Sequence, residues 1–231
     1  MVAGSSESGQ ATAVLCSAGL DSAVLLAAEA VAGPVTPVYV SVGLAWEAAE
    51  RRALERLLAA APFTTLPVAP AAYLAVDMSD VYAPSHWAVR GTPPAFDTSD
   101  EDVYLAGRNV VLLAKAGVLC ERLGLGRIAL GTLAGNPFPD ATPDFFTAMS
   151  RTLSLGLAHT VDVVTPFRTL HKPDVVRRGL QLGVPFALTL SCMGPVGNEH
   201  CGQCSKCRER RDAFAEAGVP DPATYAVTPP R

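Results

Sequence analysis

Two clusters of residues in this chain have the types and spacing to do chemistry. The first is Ser17-Ala18-Gly19-Leu20-Asp21-Ser22. It follows a short apolar run, Ala13 to Cys16, and leads into Ala23 to Ala30, a stretch of good helix formers. A strand, a small-residue loop and a helix N-terminus aim free N–H groups and a positive dipole end at one point, where phosphate binds. Ser17 and Gly19 let an anion approach and offer it a hydroxyl, while Asp21 and Ser22 suit the cap and first turn. Should Ala18 take a positive φ, the strain is on the order of 1 kcal/mol. The loop is neither a Walker sequence nor a dinucleotide fingerprint.

The second cluster is Cys192, Cys201, Cys204 and Cys207, spaced C-x8-C-x2-C-x2-C. The short gaps suit a turn that brings three thiolates to one ion, with the fourth arriving from the preceding loop. Four thiolates with no open position make a closed tetrahedral site, which for zinc is structural. An iron–sulfur cluster and a C-x-x-C redox pair are the alternatives. His200 reads as a neighbour of the site, and Lys206, Arg208 and Arg211 as charges that offset the thiolates. Cys16 and Cys120 read as small core residues.

Single residues join these clusters. Arg108 and Asn109 precede an apolar helix, with Asn109 a candidate N-cap and Arg108 a guanidinium at the helix mouth, suited to phosphate or carboxylate. Asp140 lies in a loop after a strand and is free to bind. Lys172 stands just before a proline at the start of a helix, placed to meet phosphate.

The elements that position these groups alternate. Strands are expected at the first apolar run, at Val35 to Ser41, Phe63 to Val68, Arg127 to Leu130 and Val161 to Val164. Helices are expected after the phosphate loop and over Trp46 to Ala61, with further ones to about Leu123, from Pro143 and to Leu182. Alternation of this kind predicts an α/β fold, a doubly wound parallel sheet whose ligands sit at the carboxyl ends of its strands. Glu47, Glu50, Arg51, Arg52, Glu55 and Arg56 read as a solvated, salt-bridged helix face. Pro70 to Asp102 reads as a long loop over the site, with His86, Trp87 and Arg90 as either substrate contacts or packing. The expected division is a nucleotide-binding domain over 11–185, a small helical zinc-binding region over 186–218, and an extended tail over 219–231.

Composition narrows the function. The 231 residues are 49% hydrophobic and 17% charged, enough apolar content for one large core. The net charge of −4, with no long basic run, disfavours a nucleic-acid surface. No apolar run reaches the roughly 18 residues of a membrane span, and Met1 to Gln10 has no signal-peptide pattern, so a cytoplasmic protein is expected. Four clustered cysteines there point to metal or redox chemistry rather than disulfides.

The loop resembles S-G-G-x-D-S, the pyrophosphate loop of the ATP pyrophosphatase superfamily, with Ala18 in place of the second glycine. Taken in order, Ser17 to Ser22, Gly107-Arg108-Asn109, Pro139-Asp140, Lys172 and the cysteines followed by Arg210-Arg211-Asp212-Ala213-Phe214 resemble the 7-cyano-7-deazaguanine synthase family. The likeness runs from about Ala11 to Phe214. It implies an adenine nucleotide α-hydrolase-like fold and a ligase of queuosine-type biosynthesis. Such a ligase uses ATP, Mg²⁺ and ammonia to turn 7-carboxy-7-deazaguanine into a nitrile through an adenylate and an amide. It implies that Ser17, Ala18, Gly19, Leu20, Asp21, Ser22 and Asn109 hold ATP, with Asp21 at Mg²⁺. Asp21, Lys172 and Arg108 then act in catalysis, Arg108 and Asp140 at the substrate, and the four cysteines on zinc; homodimers are the family's common state. Two departures stand out. Ser41-Val42-Gly43-Leu44-Ala45-Trp46-Glu47 replaces an aromatic-Gly-Gln-Arg-His run, and Ala141-Thr142 replaces Cys-Arg after Pro-Asp. The rival readings are another pyrophosphatase of this superfamily, adenylating a different carboxylate or a tRNA base, and a non-catalytic zinc-containing nucleotide binder.

Overall fold

The structure, a computed structural model, describes residues 11–230, so the reading of Met1 to Gln10 lies outside the described residues. The strands are β1 (Thr12–Leu15), β2 (Val35–Ser41), β3 (Ala72–Ala75), β4 (Arg127–Ala129) and β5 (Asp162–Val164). The helices are α1 (Leu20–Ala32), α2 (Glu47–Leu58), the single turn α3 (Trp87–Arg90), α4 (Arg108–Leu123), α5 (Pro143–Leu157), α6 (Lys172–Gln181) and α7 (Ser205–Ala217). All strand pairs are parallel, in the order β3-β2-β1-β4-β5.

The chain winds outward from β1 to β3, then returns to the other side of β1 for β4 and β5. The crevice therefore opens between the carboxyl ends of β1 and β4, the switch point of a doubly wound sheet. Strand residues alternate between two cores. Val14, Tyr39 and Ala129 pack with α1, α6 and α7, whereas Ala13, Val38, Val40 and Ile128 pack with α4 and α5. Helix α6 lies close on α1 because Gly179 has no side chain; a Cβ there would collide with Phe186 and Val24. No helix among the described residues is long and apolar enough to cross a membrane.

The third strand corrects the sequence reading. Phe63 to Leu66 forms turns, and only Val68 bridges to Val35, so the sheet's edge is Ala72–Ala75. Pro62 and Pro67, which have no amide to give a ladder, bracket the run, and the amides of Thr64, Thr65 and Leu66 turn back to Ala60 and Pro62. Pro70 to Asp102 is thus not one long loop but contains β3 and α3. Within it, Trp87 stacks on Trp46 with ring centroids 5.6 Å apart, and the His86 ring accepts a bond from the Ala88 amide at 3.2 Å. These are packing and capping contacts.

Candidate active site and cysteine cluster

The phosphate-type loop forms as the sequence predicts. Gly19 caps α1 in an extended conformation, and Asp21 lies in the first turn. Ser17 Oγ accepts from the Gly19 amide at 3.4 Å, and Ser22 Oγ donates to the Gly19 carbonyl at 3.1 Å. Ala18 has φ 60°, the left-handed region that a glycine would occupy without strain. Its carbonyl accepts from the Leu190 amide at 2.8 Å, so the chain leading to the cysteines holds the loop.

Above the loop is a cavity of about 310 Å³ at the switch point, lined among others by Ser17, Gly19, Asp21, Glu50, Arg108 and Asp140. Sequence reasoning placed most of these side chains at a ligand site, and the fold brings them together from α1, α4 and the loop after β4. Asn109 is not the cap of α4; Gly107 is, in the left-handed region. The Asn109 amide instead donates to Asp140 Oδ2 at 2.9 Å, and its side chain donates to the Asp140 carbonyl at 2.8 Å. Asp140 is therefore buried and tied to the start of α4 rather than free in its loop. Two buried polar atoms at the cavity have no protein partner, Asp21 Oδ1 and Arg108 Nε. Buried polar groups ordinarily find partners, so both atoms retain unused hydrogen-bonding capacity.

Lys172 reaches the loop from α6. Its ammonium lies 3.1 Å from Asp21 Oδ2 and pairs also with Glu209. Burial raises the Asp21 carboxyl and outweighs the opposing pull of Lys172. Burial works the other way on Lys172, but two acids more than offset it and hold the ammonium charged.

Glu47 and Glu50 are buried, not solvated as their charge-rich helix suggests. Glu47 takes the Ser41 hydroxyl and the Val42 amide, the latter at 2.7 Å, tying β2 to α2. Glu50 accepts from Tyr39 Oη at 2.9 Å and Trp46 Nε1 at 3.2 Å. Burial pushes its carboxyl up to about 7, against the attraction of Arg108. The missed signal was Tyr39 on β2 and Trp46 at the helix start, two donors able to satisfy an inward acid.

The four cysteine sulfurs lie within 4.8 Å of one another. The Sγ separations are 3.9 Å for Cys192–Cys204, 3.8 Å for Cys201–Cys207 and 3.5 Å for Cys204–Cys207. Tetrahedral coordination with metal–sulfur bonds near 2.3 Å requires sulfur edges of about 3.8 Å, so the donor set fits such an ion. Amides of Gly194 and Cys201 donate to Cys192 Sγ at 3.3 and 3.2 Å, which favours thiolate. His200 is not among the ligand atoms; it is buried and accepts from the Ser191 amide at 3.1 Å. Burial, then Arg210, lowers it to about 4, leaving it neutral.

The nearby cations do not simply face the sulfurs. Lys206 pairs with Glu209, Arg211 with Asp212, and Arg208 donates to the carbonyls of Phe96 and Thr98. Arg210 is buried and bonds Asp221 from the C-terminal segment, Thr189 and Phe186. That segment is seated, not loose: the Ala226 amide donates to the His200 carbonyl at 2.8 Å, and a Cβ at Gly202 would strike the Val227 carbonyl.

A family match to "Queuosine biosynthesis protein QueC" spans residues 11–218. The 7-cyano-7-deazaguanine synthase of Methanopyrus kandleri is 35% identical over 233 residues, covering 93% of this chain and 98% of the relative. That of Anaeromyxobacter dehalogenans is 34% identical, covering 92% and 94%. That of Methanothrix thermoacetophila is also 34% identical, covering 91% and 96%. Matched over most of its length by one family and by relatives at this identity, the chain belongs to the queuosine biosynthesis protein QueC family.

Proposed function

We infer that this chain carries its family's activity, ATP-dependent synthesis of 7-cyano-7-deazaguanine, and that the cavity between β1 and β4 is where it acts. The observation that supports this most is the unsatisfied Asp21 Oδ1 at a phosphate-type loop, beside a charged lysine. A carboxylate is a poor acyl donor because it would have to expel oxide, and adenylation gives it AMP as the leaving group. The carboxylate oxygen attacks the α-phosphorus, pyrophosphate departs, and ammonia then displaces AMP to form the amide. A second adenylation on the amide oxygen, with loss of AMP, yields the nitrile.

The protein's part is placement and charge. Ser17, Gly19 and Ser22, with the amides of the loop, would cradle the phosphates, and Ala18 and Leu20 shape its backbone. Asp21 would hold Mg²⁺, which, when bound, neutralises phosphate oxygens. Lys172 would meet the departing pyrophosphate. Arg108 would face the reacting carboxylate or phosphate, with Asn109 beside the nucleotide and Asp140 near the deazapurine. The four cysteines would hold zinc as a closed structural site. Homodimer formation and a cytoplasmic location go with this reading.

The test is the nucleotide product. Adding 7-carboxy-7-deazaguanine should start release of AMP and pyrophosphate, and ammonia should carry the mass of the deazapurine to the amide and then the nitrile. ADP as the product would overturn the assignment of the loop. AMP formed only with another carboxylate would keep the loop and discard this substrate.

A further inference from the structure

We propose that Glu209 is a positioning residue for the ATP step, carrying the placement of the cysteine cluster into the phosphate loop through Lys172. The proposal rests on the reading of Ser17 to Ser22 as the ATP loop. Helix α7 starts inside the cysteine cluster: Cys204 is its N-cap and Cys207 lies in its first turn. An ion held there fixes where that first turn sits. Glu209 follows on the same helix, turned toward α6. One of its carboxylate oxygens takes the Lys172 ammonium, and the other takes Lys206 Nζ at 2.7 Å. Lys172 in turn lies 3.1 Å from Asp21. One line of contacts thus runs from cysteine to α7, Glu209, Lys172 and Asp21.

The contact between Lys172 and Asp21 cannot serve the ligand as it stands. A cation needs the Asp21 carboxylate, and the phosphates need the ammonium, so the pair must part when both arrive. A lysine on a flexible four-carbon stem has other places to go. Glu209 gives it a second, fixed anchor, so Lys172 can exchange Asp21 for phosphate without leaving its post. Without that anchor, Lys172 has Asp21 as its remaining acid, and each withdraws the other from the ligand. A contrasting role makes the opposite forecast. If Glu209 only diluted the local positive charge, removing its charge would tighten ATP binding and leave the rate unchanged.

The experiment uses the full-length, metal-loaded protein with Glu209→Gln, Glu209→Asp, Lys172→Gln and the Lys172→Gln/Glu209→Gln double variant. Elemental analysis and thermal unfolding report the cysteine site and the fold. Calorimetry with α,β-methylene-ATP, titrated over Mg²⁺, reports the loop without turnover. Glu209→Gln should keep its metal and its unfolding midpoint. It should need about fivefold more Mg²⁺ to bind the analogue, and lose about tenfold in kcat for AMP release with ATP KM nearly unchanged. Glu209→Asp should recover part of that loss. In the double variant the loss should be no greater than in Lys172→Gln alone, since both act through one contact. Additive losses, or tighter analogue binding at an unchanged kcat, would overturn the proposal. Should Glu209→Gln not fold, Glu209→Asp with and without Lys172→Gln is read by the same rule. Wild-type protein that binds no analogue would instead overturn the ATP reading of the loop.

Discussion

Helices α1 and α7 both start beside a cluster of candidate site residues, and they treat their polar groups in opposite ways. At α1, the loop and its surroundings keep hydrogen-bonding capacity in reserve. Asp21 Oδ1 and Arg108 Nε are buried without partners, and Glu50 sits at the cavity with its carboxyl raised. Around α7, nearly everything is consumed within the protein. The Arg210 guanidinium is spent on Asp221, Thr189 and Phe186, and lies over the Phe214 ring at 5.0 Å. Asp221 takes in addition the Tyr225 hydroxyl at 2.6 Å. Ser205 Oγ is the one buried side-chain atom of this region without a partner among the described residues. An unsatisfied buried group costs stability, and the two at the cavity, unlike Ser205 Oγ, lie where a bound ligand would offset that cost. A saturated region does a different job, which is to hold shape.

Changes on the saturated side should therefore act on stability, and the largest should be at the cysteines. Cys204→Ser should lose the bound ion and unfold the C-terminal region, since a structural zinc contributes on the order of 10 kcal/mol to folding. Elemental analysis should find about one zinc in the wild-type chain and much less in the variant. Stoichiometric iron with a visible charge-transfer band would redraw the site. Next in size is Arg210→Ala, which takes the guanidinium away from the partly buried Asp221 carboxylate and should destabilise by about 3–5 kcal/mol in urea unfolding. The folded fraction should retain its affinity for an ATP analogue; a selective loss of that affinity would blur the contrast between the regions.

A smaller effect belongs to the cavity side and depends on pH. Burial lifts the Glu50 carboxyl from its ordinary 4.5 to about 7. The folded state therefore binds this proton more tightly than the unfolded chain does. The associated stability is fully present below the unfolded pKa and is lost as pH rises through about 7, on the order of a few kcal/mol in all. Glu50→Gln should remove that component, flattening the fall in stability between about pH 5 and pH 8. An unchanged pH slope in the variant would mean that Glu50 stays ionised in the fold.

Much of this contrast was legible in the sequence. The strand, loop and helix around Ser17 to Ser22 are local, and the strand–helix alternation sufficed to predict a parallel sheet open at its carboxyl ends. The cysteines announced themselves by type and spacing. What was not legible depended on partners distant in the chain. Glu50 lies on a helix rich in charge, and only the fold puts Tyr39 across from it. Arg210 looks like one more charge in Arg208-Glu209-Arg210-Arg211, until Asp221 meets it 11 residues later. Asn109 has the composition of a cap, but Asp140 competes for it from 31 residues away. The edge strand was misplaced because apolar content outweighed the prolines on either side of Phe63 to Leu66.

The central claim is that the phosphate loop does the chemistry while the cysteine region holds the fold. The most direct test is the rate of AMP release by Asp21→Ala, measured on protein whose zinc content and unfolding midpoint match the wild type. Asp21 lies at the mouth of a loop, and its Oδ1 accepts no hydrogen bond from the protein. The account predicts a rate lower by ~10²-fold or more, the scale for removing one electrostatic contact made in the transition state. A wild-type rate in a folded, zinc-loaded Asp21→Ala protein would contradict it.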